Sequence, residues 1–542
     1  MLRIRDLSIA LPPGSDRQLA VDRVSLDVAA GETLCVVGES GSGKSLTASA
    51  IVGLLPSPRL KVRSGSILFE GRDTLRMSES GLRAIRGGRI GYVFQDPMSS
   101  LNPLERIGKQ IREVLELHAW PGDRQRRVVE ALRDVHLPSP ESLVDAFPWQ
   151  LSGGQRQRVM IAMAIASEPA MVIADEPTSA LDVTTQAQIL ALLRELRQRR
   201  SIALFLITHD FGVVNEMADR VAVMRNGVVV EEGAKRDVLA RARDPYTRRL
   251  LGAVPELRAR TIRRAEPYPP LLRADHLTKT WRTRGRLFGR GREVKALDSV
   301  SLELGQGETL AVVGESGSGK STLARALCCL TRVDHGCADL HGIATDYLSL
   351  PARSLQPVRR AIQLVFQDPY SSLNPRRTVG QSIEIGLRAN GESAAAARAR
   401  TVELLARVQL DPAAADRYPN EFSGGQRQRI VIARALAMRP KLLVADEPVS
   451  ALDVSVQAEI LDLLDSLQQE EGLAMLFITH DLRVAARMAD RALVMRGGMM
   501  VETSSMERVL ADPEQEYTAS LVRAVPRMTE AGSVEMPALI ER

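Results

Sequence analysis

The sequence repeats itself, and this internal duplication limits the possible fold more than any other feature. Residues 38–45 read Gly-Glu-Ser-Gly-Ser-Gly-Lys-Ser, and residues 314–321 carry the same eight amino acids. Four further motifs recur in the same order, the last three at a constant spacing of 271 residues. This repeat is much longer than a solenoid unit, and 542 residues are too many for one hydrophobic core. We therefore expect two copies of one domain.

The boundaries of the two copies follow from the motif spacing and from one proline-rich stretch. We place the first domain at residues 1–255 and the second at 272–530, with a linker at 256–271 and a tail at 531–542. The linker contains two adjacent prolines and a third nearby, which is typical of a connection between domains. Between the first and third motifs the second copy is five residues shorter, so we expect this interval to lie on the surface.

The repeated octapeptide fits G-x-x-x-x-G-K-[ST], the pattern of a phosphate-binding loop, or P-loop. In each copy it follows an apolar run of strand length, Thr33–Val37 or Thr309–Val313. A helix is expected after each loop, over Leu46–Leu55 and Thr322–Leu330. Glycines allow main-chain N–H groups to turn toward an anion, and the helix N-terminus adds partial positive charge.

This pattern assigns a role to each part of the loop. The lysine is expected to reach the β- and γ-phosphates of a nucleotide, and the final serine is expected to bind Mg²⁺. The nucleotide-binding residues predicted in this way are Gly38, Glu39, Ser40, Gly41, Ser42, Gly43, Lys44 and Ser45 in the first copy, and Gly314, Glu315, Ser316, Gly317, Ser318, Gly319, Lys320 and Ser321 in the second.

Each copy also has a pair of acids at the end of a buried-strand pattern. The pairs are Asp175-Glu176 and Asp446-Glu447. The aspartate is expected to hold Mg²⁺ through water, and the glutamate is placed to polarise the attacking water. The alternative is a structural role, in which the two acids cap a helix that starts at the following proline.

A histidine and a glutamine complete the predicted hydrolytic site of each copy. His209 and His480 follow apolar strands within a repeated Thr-His-Asp, which favours a γ-phosphate contact over a core histidine. Gln95 and Gln367 carry amides that are expected to contact Mg²⁺ and the attacking water. A role limited to turn formation is the alternative for the glutamines.

A second anion-binding feature lies farther along each copy. A Ser-Gly-Gly-Gln sequence opens a segment whose apolar residues suit a helix, and such a helix start attracts anions. The residues are Ser152, Gly153, Gly154 and Gln155, and Ser423, Gly424, Gly425 and Gln426. Because one P-loop already cradles its phosphates, we expect each half to close over the nucleotide bound by the other half.

Composition excludes several other classes of protein. The net charge is +6, but 72 basic residues are interleaved with 66 acidic ones, which does not indicate a nucleic-acid-binding face. The four cysteines show no C-x-x-C pair and no metal-ligand spacing, so we expect reduced core residues. The apolar runs have the length of strands and are too short for a membrane helix.

In their order and type these motifs resemble ABC ATPases with two nucleotide-binding domains in one chain. The resemblance implies an α/β fold of two tandem P-loop NTPase domains. Each would have a RecA-like core, an antiparallel β subdomain and an inserted α-helical subdomain, at about 96–151 and 368–422. The segments 95–103, 367–375 and 244–255 are similar to dipeptide, oligopeptide and nickel importers, and the fused arrangement resembles peptide and glutathione import ATPases.

This resemblance implies an ATP-hydrolysing importer subunit that uses ATP and Mg²⁺. The expected partners are two membrane permease subunits and an extracytoplasmic solute-binding protein. The expected location is peripheral, on the cytoplasmic face of a bacterial inner membrane. The halves would pair within one chain, so that each ATP site is completed by the Ser-Gly-Gly of the opposite half. No cysteine follows Cys337, so no iron–sulfur cluster is expected.

The resemblance has one departure that concerns the nucleotide. The family usually stacks adenine on an aromatic residue after the first strand. Trp281 is the expected residue in the second half, with Phe288 as a competitor, whereas the first half has Ala10-Leu11 there. We therefore expect weaker stacking in the first half.

Other ATPases with tandem domains remain as alternatives. A ribosome-acting ABC ATPase usually has a long charged helical linker, whereas the linker here is short and proline-rich. A tandem sugar-importer ATPase commonly has one degenerate site, and DNA-repair ATPases need zinc cysteines or long coiled coils. None of these features is present in the sequence.

Overall fold

A computed structural model of the chain describes residues 1–15, 17–179, 181–260, 268–282, 293–450 and 452–526. The chain divides into two compact units. One consists mainly of Met1–Leu181 and Thr185–Val254, and the other mainly of Pro255–Val525. The exact domain limits given above stay a prediction, and the tail at 531–542 lies outside the described residues.

The first unit alternates strands and helices. Its strands are β1 Leu2–Ala10, β2 Leu19–Val28, β3 Thr33–Val37, β4 Lys61–Phe69, β5 Arg72–Asp73, β6 Ile90–Val93, β7 Met171–Asp175, β8 Ala203–Ile207, β9 Arg220–Arg225 and β10 Val228–Ala234. Its helices are α1 Lys44–Ile51, α2 Glu79–Ile85, α3 Pro97–Ser100, α4 Ile107–Leu117, α5 Arg124–Asp134, α6 Pro140–Leu143, α7 Gly153–Ile165, α8 Val183–Arg200, α9 Phe211–Met217, α10 Lys235–Ala240 and α11 Pro245–Ala253. Short 3-10 turns cover Thr74–Arg76 and Pro148–Gln150.

The second unit repeats this order with small changes. Its strands are β11 Pro270–Arg282, β12 Glu293–Gly305, β13 Thr309–Val313, β14 His335–Leu340, β15 Ile362–Val365, β16 Leu442–Asp446, β17 Ala474–Ile478, β18 Arg491–Arg496 and β19 Met499–Ser505. Its helices are α12 Lys320–Leu327, α13 Gln356–Ala361, α14 Pro369–Ser372, α15 Val379–Ala389, α16 Ala394–Arg407, α17 Gly424–Leu436, α18 Val454–Glu471, α19 Leu482–Met488, α20 Met506–Ala511 and α21 Glu516–Ala524. Its 3-10 turns cover Tyr347–Ser349, Ala352–Ser354, Pro412–Asp416 and Pro419–Glu421.

Each unit is built on one mixed sheet with the same strand order. Within the described residues the order is β10-β9-β3-β8-β7-β6 in the first unit and β19-β18-β13-β17-β16-β15 in the second. All neighbours run parallel except the edge pairs β9–β10 and β18–β19, which are antiparallel. In β3, Val36 lies opposite Ile207 of β8 and Ala222 of β9. The predicted α/β class is confirmed.

A smaller antiparallel sheet accompanies each mixed sheet. In the part of the chain that the structure describes, its order is β2-β1-β4-β5 in the first unit and β12-β11-β14 in the second. The extra strand β5 lies in the interval where the two copies differ in length. Over the described ranges, the mixed sheet has six strands in the same order in both units, so the difference in length leaves it unchanged.

The central strand β3 shows why an uninterrupted apolar run forms a strand here. All five of its residues are buried, because the sheet is covered on both faces. Leu34 and Val36 pack toward the antiparallel sheet and α1, whereas Cys35 and Val37 pack toward the helices on the other face. The same alternation occurs in β13. Leu310 and Val312 belong to one hydrophobic cluster, and Ala311 and Val313 belong to another.

The predicted helical inserts are also present. In α4, Ile107, Ile111 and Leu115 recur at every fourth position and are fully buried. They share a core with Val128 and Leu132 of α5, so the two amphipathic helices pack face to face. Among the described residues, no helix combines the length and the hydropathy that are required to cross a bilayer.

Two expectations need correction. The helices after the loops begin two residues earlier than expected, at Lys44 and Lys320, because a glycine with positive φ precedes each and forms the helix start. They also end earlier, at Ile51 and Leu327. All four cysteines are free, but only Cys35 is fully buried; the other three are partly exposed and do not belong to the core in the strict sense.

Candidate active sites

The predicted catalytic residues of each unit meet at one edge of its mixed sheet. In the first unit the P-loop follows β3, Asp175 ends β7, and Gln95 and His209 come two residues after β6 and β8. These strands are adjacent and parallel, so their carboxyl ends lie at the same edge. Such an edge is the usual ligand-binding position of an open parallel sheet.

The first P-loop is closed around its own lysine. The Nζ atom of Lys44 donates to the carbonyl oxygens of Gly38 at 2.7 Å and Glu39 at 2.9 Å, and it lies 3.4 Å from the Ser42 hydroxyl. Lys44 is only 6% exposed. Gly38 has φ of 150°, and a Cβ there would lie 2.1 Å from the Met224 carbonyl oxygen, so glycine is required. The buried ammonium forms the floor of an anion cradle.

The second P-loop has the same geometry. Lys320 donates to the carbonyl oxygens of Gly314 at 2.8 Å and Glu315 at 2.7 Å. Burial lowers the pKa of Lys320, and the nearby carboxylates oppose this effect. A Cβ on Gly314 would meet the Met495 carbonyl oxygen at 2.1 Å, as in the first loop.

A hydroxyl and a carboxylate meet beside each loop. Ser45 Oγ donates to Oδ1 of Asp175 at 3.0 Å, and Ser321 Oγ donates to Oδ1 of Asp446 at 3.0 Å. Burial raises the pKa of both aspartates, whereas these serine hydroxyls lower it. One carboxylate and one hydroxyl fit Mg²⁺, which prefers few protein oxygens together with phosphates and water. Within the described residues, no group of three or more His, Cys, Asp or Glu side chains is arranged to hold a metal ion.

The glutamate predicted to be catalytic in the first half contacts two of its predicted partners. Glu176 Oε2 accepts from Gln95 Nε2 at 3.1 Å and lies 3.3 Å from His209 Nδ1. Burial tends to raise the pKa of Glu176, but His209, Lys44 and Gln95 together lower it below its usual value. The carboxylate is therefore ionised at neutral pH and can accept a proton from water.

The glutamate predicted to be catalytic in the second half has the same arrangement. Glu447 Oε2 accepts from Gln367 Nε2 at 2.8 Å, and Oε1 lies 3.3 Å from His480 Nδ1. Burial tends to raise the pKa of Glu447, but His480 and Lys320 lower it overall. Burial likewise tends to lower the pKa of His480, but Glu447 raises it overall. Both halves thus contain all of the predicted hydrolytic groups.

The Ser-Gly-Gly-Gln segments lie at helix starts, as predicted, and the structure shows in addition that each serine caps its helix. Ser152 Oγ accepts from the Gln155 main-chain N–H at 3.2 Å, and the Gln155 side chain accepts from the Ser152 N–H at 3.0 Å. Ser423 and Gln426 form the same reciprocal pair at 3.4 and 3.0 Å. Both serines are exposed at the start of their helices, α7 and α17.

The aromatic residue predicted for adenine stacking is available. Trp281 is 50% exposed near the end of β11 and pairs with Val294 of β12. The carbonyl oxygen of Ala296, two residues along β12, would touch a Cβ on Gly319 of the P-loop. Trp281 therefore lies one strand away from the loop. Its predicted competitor, Phe288, lies outside the described residues.

One contact at the first site was missed by the sequence analysis. Tyr92, in β6, interacts electrostatically with Asp175, and burial raises the pKa of Tyr92 to about 12. The corresponding strand position in the second unit is Leu364. The two sites therefore differ beside the aspartate that is predicted to bind magnesium, although their predicted site residues are of the same types.

The fold and the two sites define a P-loop nucleoside triphosphatase with duplicated catalytic domains. A family model described as "ABC transporter" matches residues 21–179 and 297–450, and the chain belongs to this family. It is an ATP-binding and ATP-hydrolysing protein, as predicted. A second model, described as "Oligopeptide/dipeptide transporter, C-terminal region", matches residues 230–284.

Curated relatives are similar over nearly the whole chain. The chain is 46% identical to "Peptidoglycan transport ATP-binding protein YejF" of Agrobacterium fabrum, over 97% of this chain and 96% of the relative. It is 45% identical to "Glutathione import ATP-binding protein GsiA" of Escherichia coli K12, over 97% of this chain and 89% of the relative. A solved dimeric cassette, MJ0796, is 30% identical, with a TM-score of 0.40, over 44% of this chain and 99% of that one.

Proposed function

We propose that this chain is the ATP-hydrolysing subunit of an ABC importer for peptides or related small solutes. One observation carries the proposal: both halves keep a complete hydrolytic site in a chain that is similar, over 97% of its length, to import and transport ATP-binding proteins. The tandem sugar-importer alternative is disfavoured by the same observation, because neither site is degenerate. The matched transporter families and relatives give no support to the ribosome-acting alternative.

The proposed cargo class follows from the relatives. Their names specify glutathione and peptidoglycan, and both of these compounds contain short peptides. The matched C-terminal region of oligopeptide and dipeptide transporters supports the same class. Cargo selection itself is assigned to the partners, which are two permease subunits and an extracytoplasmic solute-binding protein. The chain would then lie peripherally on the cytoplasmic face of the bacterial inner membrane.

The proposed chemistry uses the residues of each sheet edge. Lys44 and Lys320 neutralise the β- and γ-phosphates, and Glu176 or Glu447 accepts a proton from the attacking water. Bound Mg²⁺, held by Ser45, Gln95 and Asp175 or by Ser321, Gln367 and Asp446, would supply charge stabilisation on the phosphate oxygens. His209 and His480 orient the glutamates and contact the γ-phosphate.

We further propose that two ATP molecules are sandwiched between the halves. The support is chemical: each half has one lysine loop and one exposed, capped helix start, and both attract phosphate. Ser423, Gly424 and Gly425 would complete the first site, and Ser152, Gly153 and Gly154 the second. Closure around ATP and reopening after hydrolysis would move the attached permeases.

The importer assignment is tested by isolating the tagged chain from detergent-solubilised membranes of its own cells. We expect two polytopic membrane proteins to co-purify in equal amounts. Cells that lack the chain should lose uptake of labelled glutathione or of a muropeptide, and the parent chain should restore it. Co-purification with ribosomal subunits in place of membrane proteins would overturn the proposal.

A matched variant separates assembly from catalysis. The double variant Glu176→Gln, Glu447→Gln changes two carboxylates to isosteric amides and leaves the surface unchanged. We expect it to co-purify with the same membrane proteins and to fail to restore uptake. If it restores uptake to the parental level, ATP hydrolysis by these sites does not drive transport.

A further inference from the structure

Two tyrosines that are not among the predicted site residues contact the P-loops. In the first half, the main-chain N–H of Glu39 donates to the phenol oxygen of Tyr246, with an N–O distance of 3.2 Å. In the second half, the N–H of Glu315 donates to the phenol oxygen of Tyr517 at 3.3 Å. Each tyrosine is the second residue of its helix, α11 or α21, near the C-terminal end of the half. The contact is therefore built twice, at equivalent positions.

In each half, the residue that contacts the tyrosine also contacts the lysine of the P-loop. The carbonyl oxygen of Glu39 accepts from Lys44 Nζ at 2.9 Å, while its N–H is bound to Tyr246. The carbonyl oxygen of Glu315 accepts from Lys320 Nζ at 2.7 Å in the same way. The tyrosine thus binds the N–H of Glu39 or Glu315, and the carbonyl oxygen of the same glutamate binds the lysine.

The tyrosines are themselves held firmly. The Tyr246 side chain is buried, and its ring lies 4.9 Å below the guanidinium carbon of Arg225, the last residue of β9. Tyr517 lies 4.8 Å from the guanidinium carbon of Arg496, the last residue of β18. Burial raises the pKa of Tyr246 to about 12 and also raises that of Tyr517. Both phenols are therefore neutral acceptors at physiological pH.

We propose that Tyr246 and Tyr517 are positioning residues that hold the start of each P-loop and thereby set the affinity for ATP. The proposal rests on the assignment of Lys44 and Lys320 to the nucleotide phosphates. The tyrosines act on the loop and do not touch the reacting atoms. The contact supports bound ATP and the transition state equally, so its loss raises KM and leaves kcat unchanged.

The test is the double variant Tyr246→Phe, Tyr517→Phe in the full chain. Phenylalanine keeps the ring on Arg225 and Arg496 and removes only the acceptor oxygen. We expect KM for MgATP to rise about two- to tenfold, as the loss of one hydrogen bond per site allows, with kcat unchanged. The Kd of MgATP, measured in the non-hydrolysing Glu176→Gln, Glu447→Gln background, should rise by the same factor.

Tyr347→Phe is the matched control. Tyr347 is fully buried, and its hydroxyl donates to the Leu327 carbonyl oxygen at 3.1 Å, away from the P-loop. Its loss removes a buried tyrosine hydrogen bond without changing the loop, so Kd and KM should stay at the parental values. If the Tyr246 and Tyr517 variants also keep parental Kd and KM, or if Tyr347→Phe changes them equally, the proposal is overturned.

Two further measurements make the result specific. Hydrogen exchange of the Glu39 and Glu315 amides should accelerate in the corresponding single variants, each of which tests its own half even if the double variant folds poorly. Unchanged exchange at both amides contradicts the proposal. The double variant Lys44→Ala, Lys320→Ala tests the P-loop assignment separately. If this variant binds ATP normally, the P-loop assignment is refuted. If it loses ATP binding while the tyrosine variants bind ATP like the parent, only the positioning role of the tyrosines is refuted.

Discussion

The side chain of Glu176 lies 3.3 Å from His209, and the main chain of Glu176 adopts a left-handed conformation with φ of 47°. Glu447 repeats both features, with φ of 49° beside His480. This conformation is unfavourable for a residue with a Cβ. The Glu176 N–H donates to the Ile207 carbonyl oxygen at 3.0 Å, which links the strained residue to β8, the strand that leads to His209. The fold therefore stabilises an unfavourable backbone in order to aim the carboxylate.

Changing Glu176 and Glu447 to glutamine together should nearly abolish ATP turnover. The amide keeps the shape of the side chain but cannot accept a proton, and losing a general base lowers rates about 10²–10⁴-fold. ATP binding should be retained, because both lysine loops are unchanged. Steady-state phosphate release and ATP titration measure the two effects. Near-parental turnover in this double variant would refute the assignment of the glutamates.

The left-handed backbone predicts an unusual order of stability at the same position. Glu176→Ala and Glu176→Gly both remove the carboxylate, but only glycine adopts positive φ without strain. We expect the glycine variant to be more stable than the alanine variant by about 1 kcal/mol, the reverse of the order in an ordinary helix or strand. Thermal unfolding without nucleotide measures the difference. Equal or lower stability of the glycine variant would mean that the backbone is relaxed.

The two glycines of the first Ser-Gly-Gly-Gln segment should respond differently to alanine. A Cβ on Gly154 would lie 2.5 Å from Thr185 Cγ2, whereas the nearest atom to a Cβ on Gly153 is 3.9 Å away, on Leu181. Threonine is stiff at χ1, so it cannot easily move aside. We expect Gly154→Ala to cost about 1–3 kcal/mol of stability, and Gly153→Ala to cost almost nothing.

A second substitution checks the cause of the Gly154 effect. Thr185→Ser removes the Cγ2 atom that the new methyl group would meet, so Gly154→Ala, Thr185→Ser should recover most of the lost stability in thermal unfolding. In the second half, Gly425→Ala meets Val456 Cγ1 at 2.3 Å and should be destabilising too. If the serine does not rescue Gly154→Ala, the cost comes from another contact.

Trp281 should matter for only one of the two nucleotides. Its exposed indole, with Lys279 Nζ 5.2 Å from the ring centre, offers a stacking face, whereas the first half has Ala10 at the corresponding place. Loss of base stacking weakens binding by about 1–3 kcal/mol. Trp281→Ala should therefore weaken one of two ATP-binding events in calorimetric titration of the non-hydrolysing variant.

The control for this prediction is another exposed tryptophan. Trp149 is 63% exposed in the helical insert of the first half, and it is not a predicted nucleotide-binding residue. Trp149→Ala should leave both binding events unchanged, and Trp281→Phe should retain most of the affinity. Equal weakening of both events by Trp281→Ala would show that the tryptophan acts on the whole protein instead of on one adenine.

Local sequence rules predicted the parts of the site that depend on neighbouring residues. The runs Thr33–Val37 and Thr309–Val313 are strands with these limits, because an uninterrupted apolar segment before a glycine loop suits a doubly covered sheet. The helix limits were predicted less well. The apolar pattern that indicated Leu46–Leu55 does not show that Gly43, at φ of 100°, places the helix start at Lys44.

Contacts between residues that are far apart in the sequence could be predicted only where a family pattern suggested them, and the other such contacts could not be predicted. The motifs indicated that Gln95, Glu176 and His209 work together, but their hydrogen bonds depend on the strand order β8-β7-β6. The Tyr246 contact to Glu39 was not predicted. Its sequence signals are that Tyr-Thr recurs at 246 and 517 with the same spacing as the predicted catalytic motifs, and that Tyr246 lies in the family-like segment 244–255.

By itself, the sequence determined that this protein has two phosphate loops, two acid pairs and two capped helix starts, since each depends on dihedral preferences and hydrogen bonds within a few residues. The tertiary structure alone decided which side chains of one half meet at the sheet edge, that Tyr92 of the first half interacts electrostatically with Asp175, and that a tyrosine at the end of each half hydrogen-bonds the loop near its beginning. The physical reason is that these contacts join residues separated by long stretches of chain, and their distances are set by strand order and packing.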